Sequence, residues 1–144
     1  MENIDYKKLI KYFQYHIDNF SGFSQDLGIK ILEYKDGKFY GEVPLKKEYH
    51  NSGGSAHVGF LCTVVDVMGA AVCCEAMAKY NNPDTKGATL SCNVNFLHRL
   101  VSEKIRCESY AIKEGRHIVT CQVNLYDGDS EEVALDAVVT YYFT

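Results

Sequence analysis

From Val58 to Cys74 the chain reads VGFLCTVVDVMGAAVCC, apolar on every side and broken by a single charge, Asp66. This run predicts a long helix over residues 56–79, or 56–80 with its closing residue. Being apolar nearly all round, the helix must sit centrally. Asn81-Asn82-Pro83-Asp84 predicts its end. Upstream, residues 5–18 place Leu9, Tyr12, Phe13 and Ile17 on one helical face, within an N-terminal helix assigned to residues 1–20. Residues 26–34 and 38–44 predict two strands joined at Asp36-Gly37, a hairpin signal. Residues 45–55 are a polar loop.

Downstream of residue 87 the period changes from helical to twofold. In 88–97, Ala88, Leu90, Cys92, Val94 and Phe96 alternate with Thr89, Ser91, Asn93 and Asn95. Residues 102–112 turn at Glu114-Gly115 into 116–126, where Val119, Cys121, Val123 and Leu125 share a face. Asp127-Gly128 then turns into 131–143, where Val133, Leu135, Ala137, Val139, Tyr141 and Phe143 share a face. These turns predict an antiparallel meander. The order of elements gives an α+β fold: an antiparallel sheet wrapped around one long central helix, as a single domain over residues 1–144.

Length and charge narrow the classes. With 144 residues and a net charge of −4, the chain is large enough for a real core and is not suited to nucleic acid or anionic membranes. The six cysteines lack metal spacing and fall in apolar patterns, so they read as reduced small hydrophobes of a cytoplasmic protein. No metal and no cofactor is implied: there is no phosphate-cradling loop, no dinucleotide fingerprint and no serine elbow.

The candidate chemistry lies at the start of the central helix. A Gly-rich loop, Asn51-Ser-Gly-Gly-Ser-Ala-His57-Val-Gly59, leads into it, so backbone N–H groups gather at its positive end. Asp66 follows nine residues after His57, among Val64, Val65, Val67 and Met68, where a carboxylate is expected to be desolvated.

With these motifs the chain resembles the hotdog fold and, more narrowly, acyl-CoA thioesterases of the phenylacetate-degradation type. The resemblance rests on Asn51, His57-Val58-Gly59 and Asp66, on Thr89-Leu-Ser91-Cys-Asn-Val-Asn95-Phe-Leu, on Glu114-Gly115-Arg116, and on Tyr126-Asp-Gly128 leading to Ala134. Val58 departs from the family pattern, which has glycine there: valine keeps the backbone N–H and adds a β-branched side chain.

The resemblance implies hydrolysis of a small or medium acyl-CoA. It assigns Asp66 as general base or nucleophile, the Val58 N–H with the Asn51 amide as the carbonyl-polarising pair, and Ser91 as a hydrogen-bonding aid to the water. His57 is expected in a supporting role. Gly59, Thr89, His98 and Arg99 are candidate substrate contacts, with Lys46 and Lys47 as further bases for the phosphates. Geometry adds an independent expectation. Nine helical residues rise roughly 13 Å, so one carbonyl cannot meet both the helix start and Asp66 of the same helix. A homodimer with composite sites is therefore expected, with a dimer of dimers left open. The alternative reading is a protein that binds an acyl-CoA or acyl-carrier thioester without cleaving it.

Overall fold

The computed structural model describes residues 3–80 and 86–144. Helix α1 (Tyr6–Phe20) starts at Asp5, whose carboxylate accepts a hydrogen bond from the Lys8 N–H at 3.2 Å. A short 3-10 segment over Gly22–Leu27 leads to strands β1 (Lys30–Lys35) and β2 (Lys38–Pro44). The strand expected from residue 26 thus begins four residues later, because Gly28 adopts a left-handed conformation that closes the 3-10 segment. Asp36 and Gly37 both have positive φ, as a tight hairpin turn demands.

Helix α2 (Val58–Lys79) begins two residues later than expected, with His57 as its N-cap. Strands β3 (Gly87–Phe96), β4 (Lys104–Glu114), β5 (Ile118–Asp127) and β6 (Val133–Phe143) follow. The expected stop at Asn81–Asp84 lies outside the described residues.

One six-stranded antiparallel sheet runs in the order β1-β2-β4-β5-β6-β3. Only β4-β5-β6 form the expected meander; β3 crosses over to pair beyond β6. The inner faces of β5 and β6 carry the expected residues. Val119, Cys121, Val123, Leu125, Leu135 and Val139 are fully buried against α2. By length and composition α2 could cross a membrane, yet here Phe60, Val64, Val65, Met68, Val72 and Ala76 form the core of the sheet's wrap. In α1, Ile17 is the buried anchor, whereas Tyr12 is exposed, not core-facing as its spacing suggested. Of the six cysteines, Cys73, Cys107 and Cys121 are buried, while Cys92 is exposed and Cys62 and Cys74 are half-buried.

Strand β3 forms one margin of the sheet. Its residues are exposed apart from Val94, and Leu90 and Phe96 present large apolar side chains to solvent. Such a margin is a template for pairing with another chain.

Candidate active site

The loop before α2 is organised by its own side chains. Asn51 Oδ1 accepts from the Gly53 N–H at 2.9 Å and the Ser55 N–H at 3.2 Å, and Asn51 Nδ2 donates to Ser55 Oγ at 3.0 Å. This is an Asx-type turn that uses most of the amide. Arg99 ties the loop down by donating to the Gly53 carbonyl at 2.6 Å. His57 caps the helix: its Nδ1 accepts from the Gly59 N–H at 3.0 Å. The Gly59 N–H is thereby engaged. Among the described residues the Val58 N–H meets no acceptor, as expected for the first turn of a helix. Val58 itself is 51 % exposed, so its side chain sits at an open mouth.

Asn51, Val58, His98 and Arg99 border one shallow cavity of about 280 Å³. His98 Nε2 lies 3.4 Å from Glu132, which already supplies it with a counter-charge. Lys46 donates to the Asp26 carbonyl at 3.4 Å.

Asp66 lies elsewhere. Its side chain is exposed, contrary to the expected desolvation, because α2 turns this face away from the sheet's deep core. Thr89 Oγ1 donates to Asp66 Oδ1 at 2.8 Å. The Tyr141 hydroxyl donates to the Asp66 carbonyl oxygen at 2.6 Å and lies 3.3 Å from its Oδ1. Burial, then the Asp66 charge, hold the Tyr141 hydroxyl far above the ordinary tyrosine range, so it stays a donor. A Cβ at Gly69 would collide with this hydroxyl, so the bare backbone at Gly69 lets Tyr141 reach Asp66.

Thr89 reaches Asp66 through an irregularity that alternation conceals. The β3–β6 register shifts between Thr89 and Ser91, leaving Leu90 as a bulge. Thr89 stands opposite Tyr141 on the inner face, with Cys92, Val94 and Phe96 following on the same side. Ser91 stands opposite Thr140, on the outer face. Thr89 and Ser91, which strict alternation would put on one face, therefore lie on opposite faces of the sheet. Tyr141, read from the sequence as core alone, is a second partner of the carboxylate.

The arrangement offers an unpaired backbone donor at the start of α2 and, further along the same helix, a carboxylate braced by two hydroxyls. The first suits an oxyanion and the second suits a base. Among the described residues no cluster of three His, Cys, Asp or Glu side chains could hold a metal ion.

Residues 67–142, just over half of the chain, match the family described as acyl-CoA thioesterase N-terminal domain. A Saccharolobus solfataricus protein carrying the provisional name of an esterase is 22% identical over 116 residues, 81% of this chain and 79% of its own length. Among solved structures, a Haemophilus influenzae thioesterase superposes with a TM-score of 0.76 at 17% identity, covering 99% of this chain and 92% of that one. Zebra fish thioesterase superfamily member 2 gives a TM-score of 0.75 at 20% identity, covering 97% and 99%. At these identities the superpositions establish the fold: this sheet and helix are the hotdog architecture.

Proposed function

This chain belongs to the acyl-CoA thioesterase N-terminal domain family, a hotdog thioesterase, and from that premise we propose that it hydrolyses an acyl-CoA with water activated by Asp66. The family match begins one residue after Asp66, so the roles of the site residues rest on the geometry above.

The reading is carried by one observation: Asp66 is an exposed carboxylate on an apolar helix, held by Thr89 Oγ1 at 2.8 Å. In the reaction a water proton passes to Asp66 as the water oxygen bonds to the thioester carbonyl carbon. The carbonyl oxygen takes up negative charge against the Val58 N–H, which the helix N-terminus orients in advance. The C–S bond then breaks, and the thiolate of coenzyme A takes the proton. Val58 keeps the donor despite its side chain, because the oxyanion contact needs only the backbone.

The two halves belong to different protomers in this proposal. The roughly 13 Å helix rise between His57 and Asp66 keeps one carbonyl from meeting both. The unpaired margin of β3, with Leu90 58% exposed, supplies the surface for a second copy. Asn51, His57 and Arg99 act as positioning residues for the loop that presents the Val58 N–H.

Thiol release from acyl-CoAs tests the proposal. Asp66→Asn is expected to lower turnover by about 10²- to 10⁴-fold with the fold intact. Unchanged turnover would reject Asp66 as the base. A thioester bound tightly by the parent protein without thiol release would favour the alternative of a binding protein.

A further inference from the structure

Helix α1 forms one wall of a groove that Asp66 borders. Phe13, His16 and Phe20 line it from α1, and Ala70, Cys73 and Met77 line it from α2. Its volume is about 550 Å³, within the range of sites that hold small organic ligands. Asp66 and Thr89 border the same groove, so a carbonyl beside the carboxylate has a direct path into it. From Asp66 to Met77 the helix rises roughly 16 Å, which sets the length over which an apolar chain can lie.

Away from Asp66 and Thr89 the walls are mostly apolar and aromatic. Phe20 is 67% exposed although its ring lies 5.3 Å from His16 and 5.8 Å from Tyr15. These edge-on and tilted rings leave Phe20 exposed at the groove's rim. Ile17 is buried, so α1 is anchored and the rim is held in place. Cys73 and Met77 are soft, adaptable groups suited to an apolar ligand of variable shape. Burial pushes the Cys73 thiol up to about 12, so it lines the groove as a hydrophobe, not as a nucleophile.

We propose that this groove receives the acyl group of the substrate, and that the α1 wall selects apolar acyl groups larger than acetyl. The inference rests on the hydrolase reading above and names the substrate class of that same site.

Steady-state kinetics on acetyl-CoA, decanoyl-CoA and phenylacetyl-CoA test it in three proteins: the parent, Ala70→Leu and Phe20→Ala. Ala70→Leu fills the groove and is expected to cut the decanoyl-to-acetyl ratio of kcat/KM at least about tenfold, mainly through KM. Phe20→Ala removes an exposed ring, keeps the fold, and is expected to cut the phenylacetyl-to-acetyl ratio several-fold. The larger of the two losses tells an alkyl from an aryl preference. Ratios unchanged in both variants would overturn the proposal. If the parent releases no thiol from any of the three, the hydrolase reading fails separately, and calorimetric binding of decanoyl-CoA decides the groove. Binding weakened at least about tenfold in Ala70→Leu would then sustain it, and equal affinity would overturn it.

Discussion

Helix α2 carries two acids, Asp66 and Glu75, and the fold treats them oppositely. Nine residues separate them, two and a half turns, so they leave the helix on opposite sides. Asp66 is exposed on a face that also leaves Val58, Cys62, Thr63 and Ala70 uncovered or half covered. Glu75 is 4% exposed, with Lys79 Nζ 3.3 Å from its Oε1, and Lys79 continues to Glu114 of β4 at 3.0 Å. Among the described residues Glu75 Oε2 meets no partner. One acid is braced by hydroxyls and open to a ligand; the other is sealed under a lysine that ties α2 to the sheet. Apolar sequence surrounds both. What distinguishes them is which side of the helix the sheet and α1 cover.

The strongest way to break this contrast is at Asp66. Asp66→Asn should leave thermal unfolding nearly unchanged while turnover falls by the hundreds-fold or more given above. Subunit mixing sharpens it. Val58→Pro removes the free N–H at the first helical position, where proline is tolerated, and His57 already has the extended backbone that a following proline prefers. Each variant alone should be nearly inactive. Mixed and re-equilibrated, they should regain a clear fraction of parent activity, because the hybrid dimer holds one intact site. No recovery would place both halves in one protomer.

Glu75 should respond in stability, not in chemistry. Lys79→Met leaves Glu75 buried without its cation and is expected to cost about 3 kcal/mol in urea unfolding. Glu75→Leu should be near neutral, since the half-exposed Lys79 keeps Glu114 as its counter-ion and leucine leaves no charge buried. The cation side agrees in sign. Burial lowers the Lys79 ammonium, but Glu114 and Glu75 outweigh it and hold the group above its usual value. That stability is complete below the unfolded lysine value and fades as pH rises through the folded one. A Glu75→Leu protein that unfolds as readily as Lys79→Met would show that the pair itself stabilises the fold.

The braces of Asp66 rank next. Thr89→Val keeps shape and removes one hydrogen bond to a charged oxygen, and should lower kcat about tenfold with little change in KM. Tyr141→Phe should cost about 1 kcal/mol in stability as well, since the hydroxyl also holds the Asp66 carbonyl. Equal kinetics in Thr89→Val and the parent would make the 2.8 Å bond structural only.

Much of this was legible in the chain. The central helix, the hairpin at Asp36-Gly37 and the inward faces of β5 and β6 follow from periodicity and turn chemistry. The Gly-rich loop also points correctly to the helix N-terminus. Three features were not legible, each for a physical reason. The Leu90 bulge moves Thr89 to the inner face and Ser91 to the outer one, and period-two counting assumes an unbroken ladder. Glu75 lies one residue past the run whose single charge is Asp66, so the buried acid was passed over in favour of Asp66. Tyr141 reads as one more inward strand residue; its reach to Asp66 depends on the missing side chain at Gly69, 72 positions away in the chain. A glycine inside an otherwise apolar helix was the available signal of such a close approach.

A third acid extends the comparison to the outer face of the sheet, where the effect is smallest. Glu108 accepts from the Tyr126 hydroxyl at 2.6 Å and from Asn124 Nδ2 at 3.0 Å, with Lys38 at 3.8 Å. Burial alone would raise its carboxyl, but those hydrogen bonds and the charges of Lys38 and Arg106 outweigh it, so the group lies below the usual glutamate range. A carboxyl lowered on folding stabilises the native state above the unfolded value of about 4.3, and that contribution disappears as pH falls through the folded value. The melting temperature should therefore decline on acidification below about pH 4.3, and Glu108→Gln should flatten part of that decline while leaving turnover near neutral pH unchanged. An identical acid profile in Glu108→Gln would mean that the hydrogen bonds to Glu108 form equally well to its neutral form. Asp66, Glu75 and Glu108 would then no longer divide by what faces them, and the distinction drawn along α2 would have to rest on activity alone.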